Sequence, residues 1–74
     1  NAQFDLIVAN INRNILLNDV QHYASAMKQG AQLFMSGFYT EDIPVLEKEA
    51  GKCGLKLIMQ KDSNNWAIII CVRD

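Results

Sequence analysis

An α/β fold in the order strand, helix, strand, helix, strand, strand is predicted by three observations. Phe4 to Ala9 is a short apolar run with β-branched residues. Leu16, Val20, Tyr23, Ala24 and Met27 recur at three- and four-residue intervals. Two strand-like runs flank the turn cluster Asp62-Ser63-Asn64-Asn65 near the end of the chain.

The first strand, Phe4 to Ala9, has the pattern of a parallel strand covered on both faces, because apolar residues occupy both of its alternating sets. It ends at Ala9 and delivers Asn10 to the loop that follows. The helical spacing predicts a helix from Ile15 to Gln29, with Asn14 able to cap its start and Gly30 suited to its end. Ala31 to Ser36 is the second strand, closed by the Ser36-Gly37 break. Strand, helix and strand in so few residues imply a crossover between parallel neighbours, with the helix covering one face of the sheet.

A second helix is predicted from Asp42 to Cys53, started by Thr40 or Asp42, with Pro44 in its first turn and Gly54 past its end. Its buried face carries Ile43, Leu46, Ala50 and Cys53. Leu55, Leu57 and Met59 then alternate with Lys56, Ile58 and Gln60, whereas Trp66 to Val72 is unbroken apolar sequence. Joined by the turn cluster, these runs form an antiparallel hairpin. The alternating strand suits a sheet edge, and the uniformly apolar one requires neighbours and cover on both sides. The order across the sheet is therefore first, second, fourth, third strand, with only the last antiparallel to its neighbours.

Composition narrows the function classes. At 74 residues the chain makes at most one small domain of marginal stability. Seven basic against eight acidic residues, a net charge of -1, give no field for drawing in phosphate backbones or anionic lipid, so no direct nucleic-acid partner and no membrane is expected. Cys53 and Cys71 lie in separate segments without partners at metal-ligand spacing, which predicts free thiols, no metal and a reducing compartment. No apolar run approaches the ~20 residues of a membrane helix, and no leader pattern is present, so a cytoplasmic location is expected. The chain lacks an initiator Met, and Asn1 and Ala2 are expected to be an expression scar.

In an open α/β sheet, ligands bind beyond the carboxyl ends of the parallel strands. Those loops hold Asn10-Ile11-Asn12-Arg13 and Gly37-Phe38-Tyr39. A carboxamide such as Asn10 offers an acceptor oxygen and two donors in one plane, which can hold an amine and aim its lone pair, though it is no base. The competing reading is that Asn10 and Asn12 serve only the turn and the helix cap. His22 falls on the solvated side of its helix, and Phe38 and Tyr39 divide between channel wall and partial core. Glu41, Asp42, Glu47, Lys48, Glu49 and Lys52 read as a solvated face with local ion pairs. Trp66, Met27, Met35 and Met59 read as core, and Arg13 as exposed.

Phe4 to Leu17, F-D-L-I-V-A-N-I-N-R-N-I-L-L, resembles the motif after the fourth strand of the ribosomal protein L11 methyltransferases. The resemblance runs on through Lys28-Gln29-Gly30, Leu33 to Gly37, the Glu-rich helix, Gly54-Leu55 and Trp66. It implies the C-terminal half of a class I methyltransferase (Rossmann-like) sheet, a partial domain over 1–74. It further implies a parent enzyme that moves the methyl group of S-adenosylmethionine to lysine ε-amino and N-terminal α-amino groups of a large-subunit ribosomal protein. In-line attack by a neutral amine would be favoured mainly by positioning.

Asn10 matches the Asn of the wider N-P-P-Y type motif, which implies a catalytic role in orienting the nucleophile, with the Ile11 backbone in substrate binding. Ile11-Asn12-Arg13 departs from Pro-Pro-Tyr, and Gln29 and Ala31 depart from L-K-P-G-G. The Gly-rich loop and the acidic residue that hold the cofactor in this fold have no counterpart, so no cofactor-binding residue is assigned and the fragment is expected to be inactive alone. Self-association through the Phe4–Ala9 edge is expected. Two further readings stay open: an enzyme of the same fold acting on another amide or amine, and a non-catalytic α/β interaction module.

Overall fold

Apolar runs, one proline and a hairpin turn divide the described residues into seven elements. They are β1 (Phe4–Asn10), α1 (Arg13–Ser25), β2 (Met27–Tyr39), a 3-10 turn (Thr40–Asp42), α2 (Ile43–Lys52), β3 (Leu55–Ser63) and β4 (Trp66–Arg73). The computed structural model describes residues 3–10 and 12–74; Asn1 and Ala2, read as an expression scar, and Ile11 lie outside them.

The strand order is β1-β2-β4-β3, with β1 parallel to β2 and β4 antiparallel to both β2 and β3. This is the predicted arrangement. The uniformly apolar β4 sits inside the sheet, and the Lys-bearing β3 lies at its edge. Leu16, Val20 and Ala24 of α1 join Ile43, Leu46 and Ala50 of α2 in one buried cluster with Ala9, Leu33, Met35, Ala67, Ile69 and Cys71. Both helices therefore cover the same face.

The other face is open, which corrects the expectation that β1 and β4 are covered on both sides. Leu6 and Val8 are 53% and 67% exposed, and Ile68 is also exposed. Their registers align them with Phe34 and Ile70 on the face away from the helices. Among the described residues, Ile70 is the one buried apolar residue outside the helix-side cluster. Its burial comes from strand neighbours, since Phe34 and Met59 are its partners on either side.

Several boundaries differ from the sequence reading, each for a local reason. Asn12, not Asn14, caps α1: its backbone is extended and its Oδ1 accepts from the Ile15 N–H at 3.0 Å. The helix ends at Ser25, because Ala26 turns the chain and its carbonyl accepts from the Phe4 N–H at 2.8 Å. Arg73 closes the same corner, its guanidinium donating to the carbonyls of Ala24 and Met27. Met27 is fully buried as predicted, yet from the start of β2 rather than from the helix.

Gly30, expected at the helix end, lies within β2 at φ +84, where the pairing shifts from Phe4–Met27 to Leu6–Gln32. Such a backbone angle suits glycine. In β3 the register shifts between Leu57 and Met59, so Met59 turns off the core face and is 40% exposed, against the sequence reading. β3 also runs to Ser63, and Asn64 and Asn65 alone form the turn, both at positive φ as a two-residue hairpin loop demands. Pro44 lies in the first turn of α2, and Gly54 follows its end at φ +82. His22 is exposed, Phe38 is core, and Lys52 pairs with Glu49 at 3.8 Å.

Both cysteines are free thiols. Burial pushes the Cys71 thiol up to about 11 from 9.0, with Glu47 adding to the effect. Burial also raises Cys53, with Glu49 acting in the same direction and Lys52 against it. A raised pKa keeps the folded chain protonated where the unfolded chain has ionised. The Cys71 contribution is thus whole below about pH 9 and lost as pH rises toward 11. The expected result is a fall in melting temperature across that window, reduced in Cys71→Ala once its lower baseline is subtracted. A thiol reagent at pH 8 should label Cys53 well before Cys71 in the folded chain.

Candidate active site at the carboxyl rim of the sheet

The parallel pair ends with Asn10 on β1 opposite Ser36 on β2. Paired residues of neighbouring strands project to the same face. Here the two side chains meet, the Ser36 Oγ donating to the Asn10 Oδ1 at 3.2 Å. Asn10 is exposed and Ser36 half-buried. Asn10 therefore neither caps α1 nor closes a turn among the contacts of its side chain; the capping duty falls to Asn12.

Beyond this pair, Gly37 at φ +92 marks a shift in the β2–β4 register between Ser36 and Phe38. The shift sends Phe38 into the core, 1% exposed, and leaves Tyr39 47% exposed opposite Trp66. The two rings stack with centroids 4.7 Å apart and planes at 26°. Trp66, read from the sequence as core, is 54% exposed. It opens β4 at the rim, beside the turn end of the hairpin, and belongs to no helix-covered cluster.

These elements border a cavity of about 650 Å3, lined by Asn10, Ser36 and Gly37 from the parallel strands, by Asn12 from the cap of α1, and by Lys61, Asp62, Trp66 and Ile68 from the hairpin. Asp62 accepts from the Thr40 hydroxyl at 3.3 Å. A more polar cavity of about 500 Å3 lies next to it, with Arg13, Tyr39 and Asp42 among its walls. There Arg13 pairs with Asp42 at 3.4 Å, and Asp42 also accepts from the Tyr39 N–H at 3.0 Å. Asp42 is thus a structural acceptor rather than one of a row of solvated charges.

Of the two site residues expected from the sequence, Asn10 lies in the larger cavity, and Ile11 falls outside the described residues. Ser36, Lys61, Asp62 and Trp66 were not expected there. Trp66 was legible in principle, because an antiparallel β4 beside β2 must begin where β2 ends. No cluster of three or more His, Cys, Asp or Glu at metal-binding spacing occurs among the described residues.

The family model described as ribosomal protein L11 methyltransferase (PrmA) matches residues 1–74. A ribosomal protein L11 methyltransferase of Bacteroides thetaiotaomicron is 53% identical over 66 residues, which is 89% of this chain and 24% of that protein. The crystal structure of ribosomal protein L11 methylase from Lactobacillus delbrueckii subsp. bulgaricus superposes with a TM-score of 0.92 at 26% identity, over 100% of this chain and 38% of that one. The M1.HpyAVI–SAM complex shares the fold, with a TM-score of 0.80 at 10% identity over 99% of this chain and 46% of that one. The chain spans about a quarter of the length of the curated relatives it matches. The sheet is that of the class I methyltransferase fold, and the chain belongs to the ribosomal protein L11 methyltransferase family.

Proposed function

We propose that the full-length protein transfers methyl groups from S-adenosylmethionine to lysine ε-amino and N-terminal α-amino groups of a large-subunit ribosomal protein. Asn10 orients the accepting amine, and the 74-residue chain is inactive alone. The observation that carries the reading is the place of Asn10: it ends a parallel strand at the carboxyl rim of the sheet, in a cavity, and among the described residues no cap or turn uses its side chain.

An amine accepts a methyl group only through its lone pair, so the nucleophile must be neutral and its N–H groups held. The Asn10 oxygen has two acceptor positions, of which Ser36 takes one. The second can accept from the substrate amine and turn its lone pair toward the reacting carbon, without the full charge that would favour the ammonium form. Trp66 supplies an apolar wall for a lysine side chain. The Ile11 backbone is proposed as a further substrate contact.

The described residues do not by themselves suit the cofactor. Asp42 is committed to Arg13 and to the Tyr39 amide, and no buried polar side-chain atom is left without a partner. S-adenosylmethionine is therefore assigned to the full-length protein.

Methylation of purified ribosomal protein L11 by the full-length enzyme, with the label located at lysine and N-terminal amines, tests the reading. Label on a glutamine amide, or on free amines in preference to the protein, would favour the other substrate class instead. A cytoplasmic location, no direct nucleic-acid partner and no membrane complete the proposal; the balanced charge supports the last two.

The isolated chain is further proposed to self-associate through β1. That strand is paired on one side only, and its Leu6 and Val8 are exposed. Light scattering should show oligomers that Val8→Lys disperses. A monomer at high concentration whose β1 amides exchange freely would contradict this.

A further inference from the structure

We propose that Ser36 is the positioning residue for Asn10, a role that rests on the reading of Asn10 as the group that orients the amine. The register carries the first part of the argument. Asn10 is the last residue of β1 and Ser36 its partner on β2, so the ladder itself sets the two side chains against each other. The hydrogen bond from the Ser36 hydroxyl to the Asn10 Oδ1, 3.2 Å long, carries the second. Both residues line the same cavity.

The need for such a partner follows from the chemistry of the carboxamide. The terminal torsion of asparagine is broad and roughly two-fold, so an exposed Asn at a strand end samples many orientations. Asn10 is exposed, and Ser36 makes the one side-chain hydrogen bond found for it among the described residues. Holding the oxygen from one side leaves its second acceptor position and both amide protons free for substrate. The effect of Ser36 passes through Asn10, whose oxygen its hydroxyl holds. The register shift at Gly37 helps, because it breaks the β2 pattern immediately after Ser36 and sends Phe38 to the core, so no bulky side chain follows Ser36 on the cavity side.

The test uses the full-length enzyme with Ser36→Ala, Ser36→Thr, Asn10→Ala and the double variant Asn10→Ala/Ser36→Ala. Losing one neutral hydrogen bond that orients a reacting group should lower kcat about 3- to 10-fold. The KM for the ribosomal protein should stay within about two-fold, since the substrate contacts remain. Ser36→Thr, which keeps the hydroxyl, should recover most of the loss. The double variant should be no slower than Asn10→Ala, because without the carboxamide Ser36 has nothing to hold.

A parent-like kcat in Ser36→Ala would overturn the proposal. So would a double variant slowed by the product of the two single effects. A readout independent of methyl transfer accompanies these: the side-chain amide signals of Asn10 in nitrogen–proton spectra should shift and broaden in Ser36→Ala and return in Ser36→Thr. If the parent enzyme transfers no methyl group, the functional reading fails on its own, and unchanged Asn10 signals in Ser36→Ala would separately refute the positioning role.

Discussion

Asn10→Ala in the full-length enzyme is expected to lower kcat for protein methylation about 100-fold, the scale on which a misplaced reacting group costs rate. Its stability should change by no more than about 0.5 kcal/mol, because the side chain is exposed and serves no cap. The combination matters. A structural residue at a strand end would lose stability and activity together, whereas an orienting residue loses rate alone. Circular dichroism melting and single-turnover methylation, run on the same preparations, separate the two.

The second large effect belongs to the core. Leu33 of β2 is fully buried on the helix-covered face, and Val8 of β1 is 67% exposed on the open one. Leu33→Ala in the 74-residue chain should cost about 2–5 kcal/mol, from lost burial together with the cavity left behind. That is a large share of what a domain of this size can hold, so the variant is expected to be largely unfolded at 25 °C. Val8→Ala should stay within about 0.5 kcal/mol. Equal losses at the two positions in urea titrations would mean that both faces of the sheet are covered, against the one-sided core described above.

The contrast between these residues also shows what the sequence could convey. Alternation and apolar runs determine which segments form strands and which strand is central, and the order β1-β2-β4-β3 followed from them. The same runs did not tell which face has a covering layer. Leu6 and Val8 look as core-like as Ile69, but they lie on the side to which neither helix packs.

Bulges were the other loss. The irregularity around Gly30 lets the buried Met27 sit on a strand while keeping helical spacing from Ala24, so periodicity overran the helix end. The shift between Leu57 and Met59 reverses the alternation that placed Met59 inside. Neither has a strong local signal, since a bulge is fixed by pairing with a partner strand. At the site, Asn10 was legible from the motif and the strand end, while Ser36 and Trp66 required the register. They lie 26 and 56 residues along the chain from Asn10, and only the pairing of β1 with β2, and of β2 with β4, brings them to one rim.

The reading of Asn10 as the group that holds a neutral amine is tested most directly by the pH dependence of single-turnover methylation in the parent enzyme, Asn10→Ala and Asn10→Asp. A carboxylate beside the amine favours its charged form and raises its pKa. Asn10→Asp should therefore move the rising limb of the profile to higher pH, whereas Asn10→Ala should lower the plateau with little movement of the limb. Three coincident profiles would contradict the account.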